Sequence, residues 1–152
     1  MLHKSIGAFC LIAAIVMAAA GSIWAAVPLN EFQISRDSAL EAVNVTALSI
    51  DQNSETHPFG EGVSVTTTRV TLTARVDVVH RTASGLLPGS VIVVRYSRSV
   101  RTPPVPSPQQ DIVLNTGERA AAYLKQTEAA YLKLTDEKSY MLACPFWCLQ
   151  KL

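Results

Sequence analysis

Residues 63–80 alternate between apolar and polar side chains, and this pattern constrains the fold more than any other part of the 152-residue chain. The apolar set is Val70, Leu72, Ala74, Val76 and Val78, and the polar set is Thr67, Arg69, Thr71, Thr73, Arg75 and Asp77. A period of two places the sets on opposite faces of a β-strand, which predicts that the apolar face is buried. The stretch is long for one flat strand, which favours a bent strand shared between two sides of a small barrel.

Three other segments also have strand patterns. Residues 42–50 are rich in β-branched side chains, and residues 91–98 alternate with Ile92, Val94 and Tyr96 on one face. Residues 139–143 are short and apolar enough for a last strand. Together with residues 63–80, these segments predict a mainly β domain.

The segments between these strands have loop composition. Residues 28–39 are mixed and are predicted to be an irregular link. Residues 51–62 are polar and contain Pro58, Gly60 and Gly62, which predicts a loop. Residues 102–110 hold four prolines, and proline donates no ladder hydrogen bond, so an extended surface loop is expected there.

Residues 120–134 are ambiguous. Apolar and small side chains recur there at helical spacing, so periodicity alone favours a helix. Residues 121–125, however, recur as residues 129–133, with three residues between the two copies. Two short strands with a tight connection are therefore equally allowed.

The first 26 residues, which we call the leader, have the layout of a secretory signal peptide. They comprise a polar start with Lys4, an uncharged apolar run, and small residues before position 27. Cleavage would leave an exported protein, periplasmic or extracellular. The alternative is a membrane anchor formed by residues 5–27, which carry no charge and are about long enough to span a bilayer. A buried core helix is the third reading.

Removing 26 of the 152 residues leaves 126, enough for one domain, with a linker at 27–41 and a single β domain at 42–152. Lys4 is the leader's only charged residue, so 12 Lys and Arg remain against 12 Asp and Glu. A domain that binds nucleic acid through phosphates is distinctly basic, so neutrality argues against nucleic acid as a partner. A membrane is a partner only if the leader is retained.

Cys144 and Cys148 are the two cysteines outside the leader. In an exported chain such a pair predicts a disulfide; free thiols and a metal site are the alternatives. An extended strand would separate their Cα atoms by about 13 Å. A disulfide needs about 4.4–6.8 Å. The bond therefore requires the segment to turn, which Pro145 favours.

The sequence contains no recognisable catalytic or cofactor motif. His57 precedes a proline in a polar segment and is expected to be solvated. His80 ends the alternating stretch and is expected to be a rim histidine or a hydrogen-bonded core histidine. Metal binding would need His57, Glu61, His80 and the two cysteines to converge, without the spacing of known sites. We therefore predict no catalytic residue, no metal and no cofactor.

Two groups of residues are candidates for a contact patch. Arg95, Arg98 and Arg101 form a local basic cluster, which indicates either an anion or glycan patch or a charged edge that discourages aggregation. Phe146 and Trp147 are adjacent aromatics that cannot both face one core from a strand. One of the two is therefore a candidate for an exposed contact.

Several segments occur in a familiar order: residues 74–96 with the turn "SGLLPG", the proline loop ending at residue 108, residues 114–117, and residues 122–124. This order resembles small exported bacterial proteins with a netrin- or metalloproteinase-inhibitor-like OB-type barrel. The resemblance covers about half of the chain after the leader. It implies a five- or six-stranded barrel and two strands within 120–134. The cysteine that such inhibitors place at the N-terminus to approach zinc is missing, which argues against inhibition by that route.

These observations predict an exported, non-catalytic binding or structural-interaction protein of the cell envelope or extracellular space, with a protein or glycan partner. One alternative is an enzyme of unrecognised type that uses His80 or His57. The other is an envelope assembly component anchored by an uncleaved leader. A histidine that converges with a carboxylate or thiol in a pocket would favour the enzyme, whereas an exposed basic or aromatic patch would favour the binding protein.

Overall fold

The computed structural model describes residues 29–104, 112–127, 138–144 and 147–152, and the protein is mainly β. The leader at residues 1–26 and most of the proline-rich segment lie outside the described residues. The elements are α1 (Leu29–Asp37), β1 (Glu41–Pro58), β2 (Ser64–Arg81), β3 (Val91–Thr102), β4 (Arg119–Gln126), β5 (Ser139–Leu142) and β6 (Leu149–Lys151). The strands predicted over 42–50, 63–80, 91–98 and 139–143 are all present.

The irregular link predicted over residues 28–39 is wrong, because residues 29–37 form α1. Glu31 in the first turn and Arg36 in the last turn suit the helix dipole. The apolar pattern is weak, but Phe32 packs against the core. A helix this short depends on such tertiary contacts, which a local pattern does not reveal.

The six strands form one sheet with the order β1-β2-β3-β5-β4-β6, and β1 also pairs with β4. The β3–β5 pair is parallel, and all other pairs are antiparallel. The core is formed by the inward-facing side chains of the strands. Its fully buried members include Val43, Val45, Leu72, Ala74, Val76, Ile92, Val94, Ala120, Ala122, Leu124 and Tyr140.

The alternation predicted along β2 holds up to Val76 and then breaks. Val70, Leu72, Ala74 and Val76 are buried, but Val78 is 39% exposed, so its predicted inward position is wrong. The ladder with β1 shifts between the pairs Asn44↔Val78 and Val45↔Val76, as in a β-bulge. The extra residue inverts the alternation, and the next valine, Val79, packs against the core instead.

The loop predicted over residues 51–62 is also wrong for most of its length. Residues 51–58 of β1, 64–71 of β2 and 95–102 of β3 pair as a three-stranded extension, which we call the arm. Opposed hydroxyls link β1 to β2, with Ser54 Oγ 2.8 Å from Thr68 Oγ1 and Thr56 Oγ1 2.8 Å from Thr66 Oγ1. The polar composition of residues 51–58 therefore correctly indicated that the segment is exposed, but the loop inferred from it was wrong because the segment forms a strand.

Residues 119–126 form the strand β4, so the helix favoured by periodicity is wrong for the first half of 120–134. Ala120, Ala122 and Leu124 are completely buried on one face of this strand. β4 pairs with three strands, β1, β5 and β6, and its small inward-facing side chains are part of the core. The second copy of the repeat lies outside the described residues.

Candidate functional site

The three arginines of the predicted contact patch lie on β3 but do not share a face. The β2–β3 ladder runs without a shift, and Ile92 and Val94 point into the core. Because side chains alternate along a strand, Arg98 lies on the face of these core residues. Arg95 and Arg101 lie on the opposite face, so the local cluster is divided by the sheet.

Arg101 lies at the tip of the arm. Its guanidinium carbon is 6.0 Å from the ring centroid of Phe59, which is 65% exposed. A cation over an aromatic face is attracted by the ring quadrupole. Arg101 therefore helps to order the tip and is distant along β3 from Arg95.

Trp147 packs against the N-terminal helix. Its ring lies edge-to-face with that of Phe32, with the centroids 6.5 Å apart. The indole is half-buried and its backbone φ is 60°. Phe146 lies outside the described residues, so its predicted contact role stays a prediction. The structure thus gives Trp147 an intramolecular partner instead of placing it with the arginines.

Cys144 and Cys148 form the predicted disulfide, with their Cα atoms 5.7 Å apart. Both residues are buried in the core, at 4% and 0% exposure. The segment turns between β5 and β6, as the short separation requires. The sulfur atoms are therefore packed as core atoms.

Next to this disulfide, an open cleft of about 230 Å³ lies where β3, β5 and β4 meet. Its lining combines two cations with apolar and aromatic side chains. No acidic side chain belongs to the lining within the described residues. The lining residues are Arg95, Tyr96, Ser97, Lys125, Met141, Leu142, Ala143 and Cys144.

Arg95, Met141 and Lys125 form one row across three strands of the cleft. Met141 is the register partner of Arg95 on β3 and of Lys125 on β4. All three residues are exposed. Adjacent strands lie about 4.8 Å apart, so the two cationic residues are about 10 Å apart at their backbones, with an apolar thioether between them.

Hydrogen bonds hold the cationic side of the cleft in place. Arg95 Nη1 donates to the hydroxyl of Ser139 at 2.5 Å, and Ser139 is only 3% exposed. Tyr96 Oη donates to the carbonyl oxygen of Ile112 at 2.8 Å. A guanidinium fixed by a buried partner loses less conformational entropy when it binds an anion.

The sequence indicated Arg95 but missed Lys125 and Met141. Neither residue belongs to a local motif: a lysine in an alanine-rich strand and a single methionine carry no signal by themselves. Only the pairing of β5 with both β3 and β4 brings the three residues together. To predict this row from the sequence, one would need to know the register of the β3–β5 and β4–β5 pairs.

The two histidines do not converge with groups that would support catalysis. His57 Nε2 lies 3.6 Å from Glu55 Oε2 on the exposed arm. His80 Nε2 lies 3.1 Å from Asn44 Oδ1, also on the surface. Within the described ranges, no three His, Cys, Asp or Glu residues are grouped to hold a metal ion.

Glu41 is a buried carboxylate that the sequence did not single out. It is 1% exposed, and its Oε1 accepts hydrogen bonds from the backbone N–H groups of Ala83, at 3.2 Å, and Ser84, at 2.9 Å. The hydroxyls of Ser84 and Tyr140 lie 2.9 Å apart. Glu41 therefore ties the β2–β3 connection to the start of β1, which is a structural role.

Comparison of this chain with protein-family models, curated proteins and solved structures finds no match. Among the helical residues that the structure describes, no helix is long and apolar enough to cross a membrane.

Proposed function

We propose that this protein is an exported, non-catalytic binding module built on a five-stranded OB-type barrel. The barrel is supported by the order of the strand pairs: from β1 through β2, β3, β5 and β4, the hydrogen-bonded neighbours lead back to β1. A sheet that closes on itself has this connectivity. Export to the periplasm or beyond is supported by the predicted leader and by a disulfide typical of oxidising compartments.

The proposed ligand is an acidic segment of a protein partner, bound in the cleft between β3 and β4. The observation that carries this proposal is the row of Arg95, Met141 and Lys125. Two cations attract carboxylates, and the arginine fork matches their geometry. The thioether of Met141, 42% exposed, offers an adaptable apolar contact between them.

The non-catalytic part of the proposal is supported by the surroundings of the candidate nucleophiles and bases. General acid–base catalysis needs a base within hydrogen-bonding reach of the reacting group in a pocket. Each histidine instead contacts one exposed polar side chain on the surface. The cleft lining contains no histidine, aspartate or glutamate within the described residues.

The binding proposal can be tested by titrating the isotope-labelled exported protein with a short polyglutamate peptide. We expect the amide resonances of Arg95, Met141 and Lys125 to shift, and the affinity to fall as salt rises. Lys125→Gln and Arg95→Gln should each weaken binding about tenfold, the loss expected for one charged contact. Arg69→Gln, with the same charge change on the arm, is the matched control.

A parallel titration with an oligogalacturonate distinguishes the kind of ligand. Stronger binding of the acidic sugar than of the peptide would reject the protein partner and favour a glycan. Equal loss of affinity in Arg69→Gln and Lys125→Gln would show attraction to overall charge and would reject the cleft as the site.

A further inference from the structure

The outer edge of β1 is open along the arm. β4 pairs with β1 only over residues 41–46, and the backbone of Ala47 then bonds to Gly117 and Glu118. In the described parts of the chain, no other segment pairs with this edge, and residues 51–58 are all exposed. A long open edge presents backbone N–H and C=O groups that can accept a further strand.

The hydrogen bond from the Phe59 N–H to the Val63 carbonyl oxygen, 2.8 Å long, shows which residues of β1 face this edge. In an antiparallel pair, successive residues alternate between bonding to the neighbouring strand and pointing away from it. The β1–β2 ladder runs without a shift from residue 58 to residue 49. Between residues 49 and 59, the backbone N–H and C=O groups of the odd-numbered residues therefore bond to β2. The even-numbered residues, whose backbone groups point outward, are Ile50, Gln52, Ser54, Thr56 and Pro58.

We propose that the occupant of this edge is a second copy of the chain, paired antiparallel about a twofold axis at Ser54. The outward-pointing residues lie symmetrically around Ser54, as an isologous interface requires. Ser54 then exchanges two backbone hydrogen bonds with its own copy, and Gln52 pairs with Thr56 of the second copy. Pro58, which has no N–H, falls at the end of the ladder. Two three-stranded arms become one six-stranded sheet.

The side chains select this register over its neighbours. With the axis at Ser54, His57 lies opposite Asp51 of the second copy, in a pair that can hydrogen-bond. An axis at Asn53 would instead set Asp51 against Glu55, and an axis at Glu55 would set that carboxylate against itself. Like charges directly opposite each other destabilise a strand pair, so the axis at Ser54 is favoured.

Cysteine crosslinking of the exported protein tests the register. Directly opposite residues in a hydrogen-bonded pair have Cα atoms about 5.5 Å apart. This distance is within the range for a disulfide. Ser54→Cys should therefore form an intermolecular disulfide under mild oxidation. Thr56→Cys is the matched control, because its two copies lie four positions out of register, about 13 Å apart. The native pair Cys144–Cys148 is already bonded and does not compete.

Sedimentation over a range of concentrations tests the dimer itself. Ser54→Pro removes one outward N–H from each copy and leaves the β1–β2 ladder intact, so the dimer dissociation constant should rise about tenfold or more. Ser54→Ala keeps the N–H and should dimerise like the wild type. Circular dichroism confirms that each variant is folded. A monomer at all concentrations, or equal crosslinking at both positions, would overturn the proposal and favour a strand of another protein as the occupant.

Discussion

The backbone N–H of Tyr123 donates a 2.9 Å hydrogen bond to the carbonyl oxygen of Cys148, and the Tyr123 carbonyl oxygen accepts one from the Ala143 N–H. Tyr123 thus bonds to the residue that precedes the disulfide-closed loop and to the last residue of that loop. On either side of it, β4 pairs with β5 and with β6. The disulfide therefore holds together the two ends of the loop between β5 and β6, and these two strands pair one after the other along the same edge of β4.

This arrangement predicts the effect of removing the disulfide. Replacing Cys144 and Cys148 by alanine should lower the free energy of unfolding by about 2 kcal/mol, as expected for a loop this short. Amide hydrogen exchange should quicken in β6, whereas β2 and β3 should keep their protection, because neither strand pairs with β6. Equal loss of protection in all strands would contradict a local role.

The bulge in β2 predicts different costs for the same substitution on one strand. Val76→Ala should lower the free energy of unfolding by about 1.5–3 kcal/mol, because Val76 is completely buried. Val78→Ala should cost under about 1 kcal/mol, because Val78 is partly exposed. Leu72→Ala at about 2–5 kcal/mol and Thr73→Ala at under about 1 kcal/mol provide a second pair. Urea denaturation measures all four, and equal costs within a pair would refute the assigned faces.

Asp77 lies at the bulge, and the hydroxyl of Thr46, which donates to Asp77 Oδ2 at 2.6 Å, lowers the pKa of this carboxyl. Burial is the next largest influence and opposes this shift, whereas Arg75, by a hydrogen bond and by its charge, and Arg119, by its charge, lower the same pKa further. A lowered pKa in the folded state stabilises the protein above the unfolded pKa of about 3.9 and loses that contribution as pH falls through the folded pKa.

Thr46→Val should therefore raise the pKa of Asp77, measured from its carboxyl carbon resonance. The stability difference between wild type and variant should shrink as the medium is acidified below pH of about 4. An unchanged pKa in Thr46→Val would show that the arginines alone determine it.

Glu118 has its pKa lowered from 4.5 to about 2, first by Lys151, whose Nζ lies 2.7 Å from Glu118 Oε1. The backbone N–H of Asn115 donates to Oε2 at 2.7 Å. Lys151→Met should raise the pKa of Glu118 toward 4.5, while Lys125→Met, with the same change far from this carboxylate, should leave it unchanged. Carboxyl NMR titration measures both, and equal shifts would indicate a general charge effect.

The leader prediction is tested by mass spectrometry of the protein recovered from outside the cytoplasm. The small residues that end the apolar run predict a new N-terminus between Gly21 and Val27. Intact chains that begin at Met1 and are found in a membrane fraction would instead support the anchor formed by residues 5–27.

Local sequence patterns predicted the structure correctly where a strand is regular, because side chains then alternate strictly between the buried and the exposed face. The alternation from Val70 to Val76 placed four core residues correctly, and the β-branched run at 42–50 located the start of β1 within one residue. The same patterns failed at Val78 and at α1. A one-residue bulge and the contact that orders Phe32 both depend on segments distant in sequence.

The candidate site was also only partly predictable from the sequence. Arg95 was visible as part of a basic cluster, but the cluster itself is divided between two faces because spacings of three do not match a period of two. Lys125 and Met141 join Arg95 only through the parallel β3–β5 pair and the antiparallel β4–β5 pair. Sequence spacing carries no information about such a register.

By itself, the sequence determined the mainly β class and the buried face of β2 from Val70 to Val76, and it favoured a disulfide between Cys144 and Cys148. Each of these follows from interactions among residues close in the chain: alternation, β-branched composition, and two thiols four positions apart. The tertiary structure decided the bulge at Asp77, the extension of β1 and β2 into the arm, and the row of Arg95, Met141 and Lys125. Each of these depends on which strands pair and in what register, and strand pairing is a non-local interaction that only the folded chain specifies.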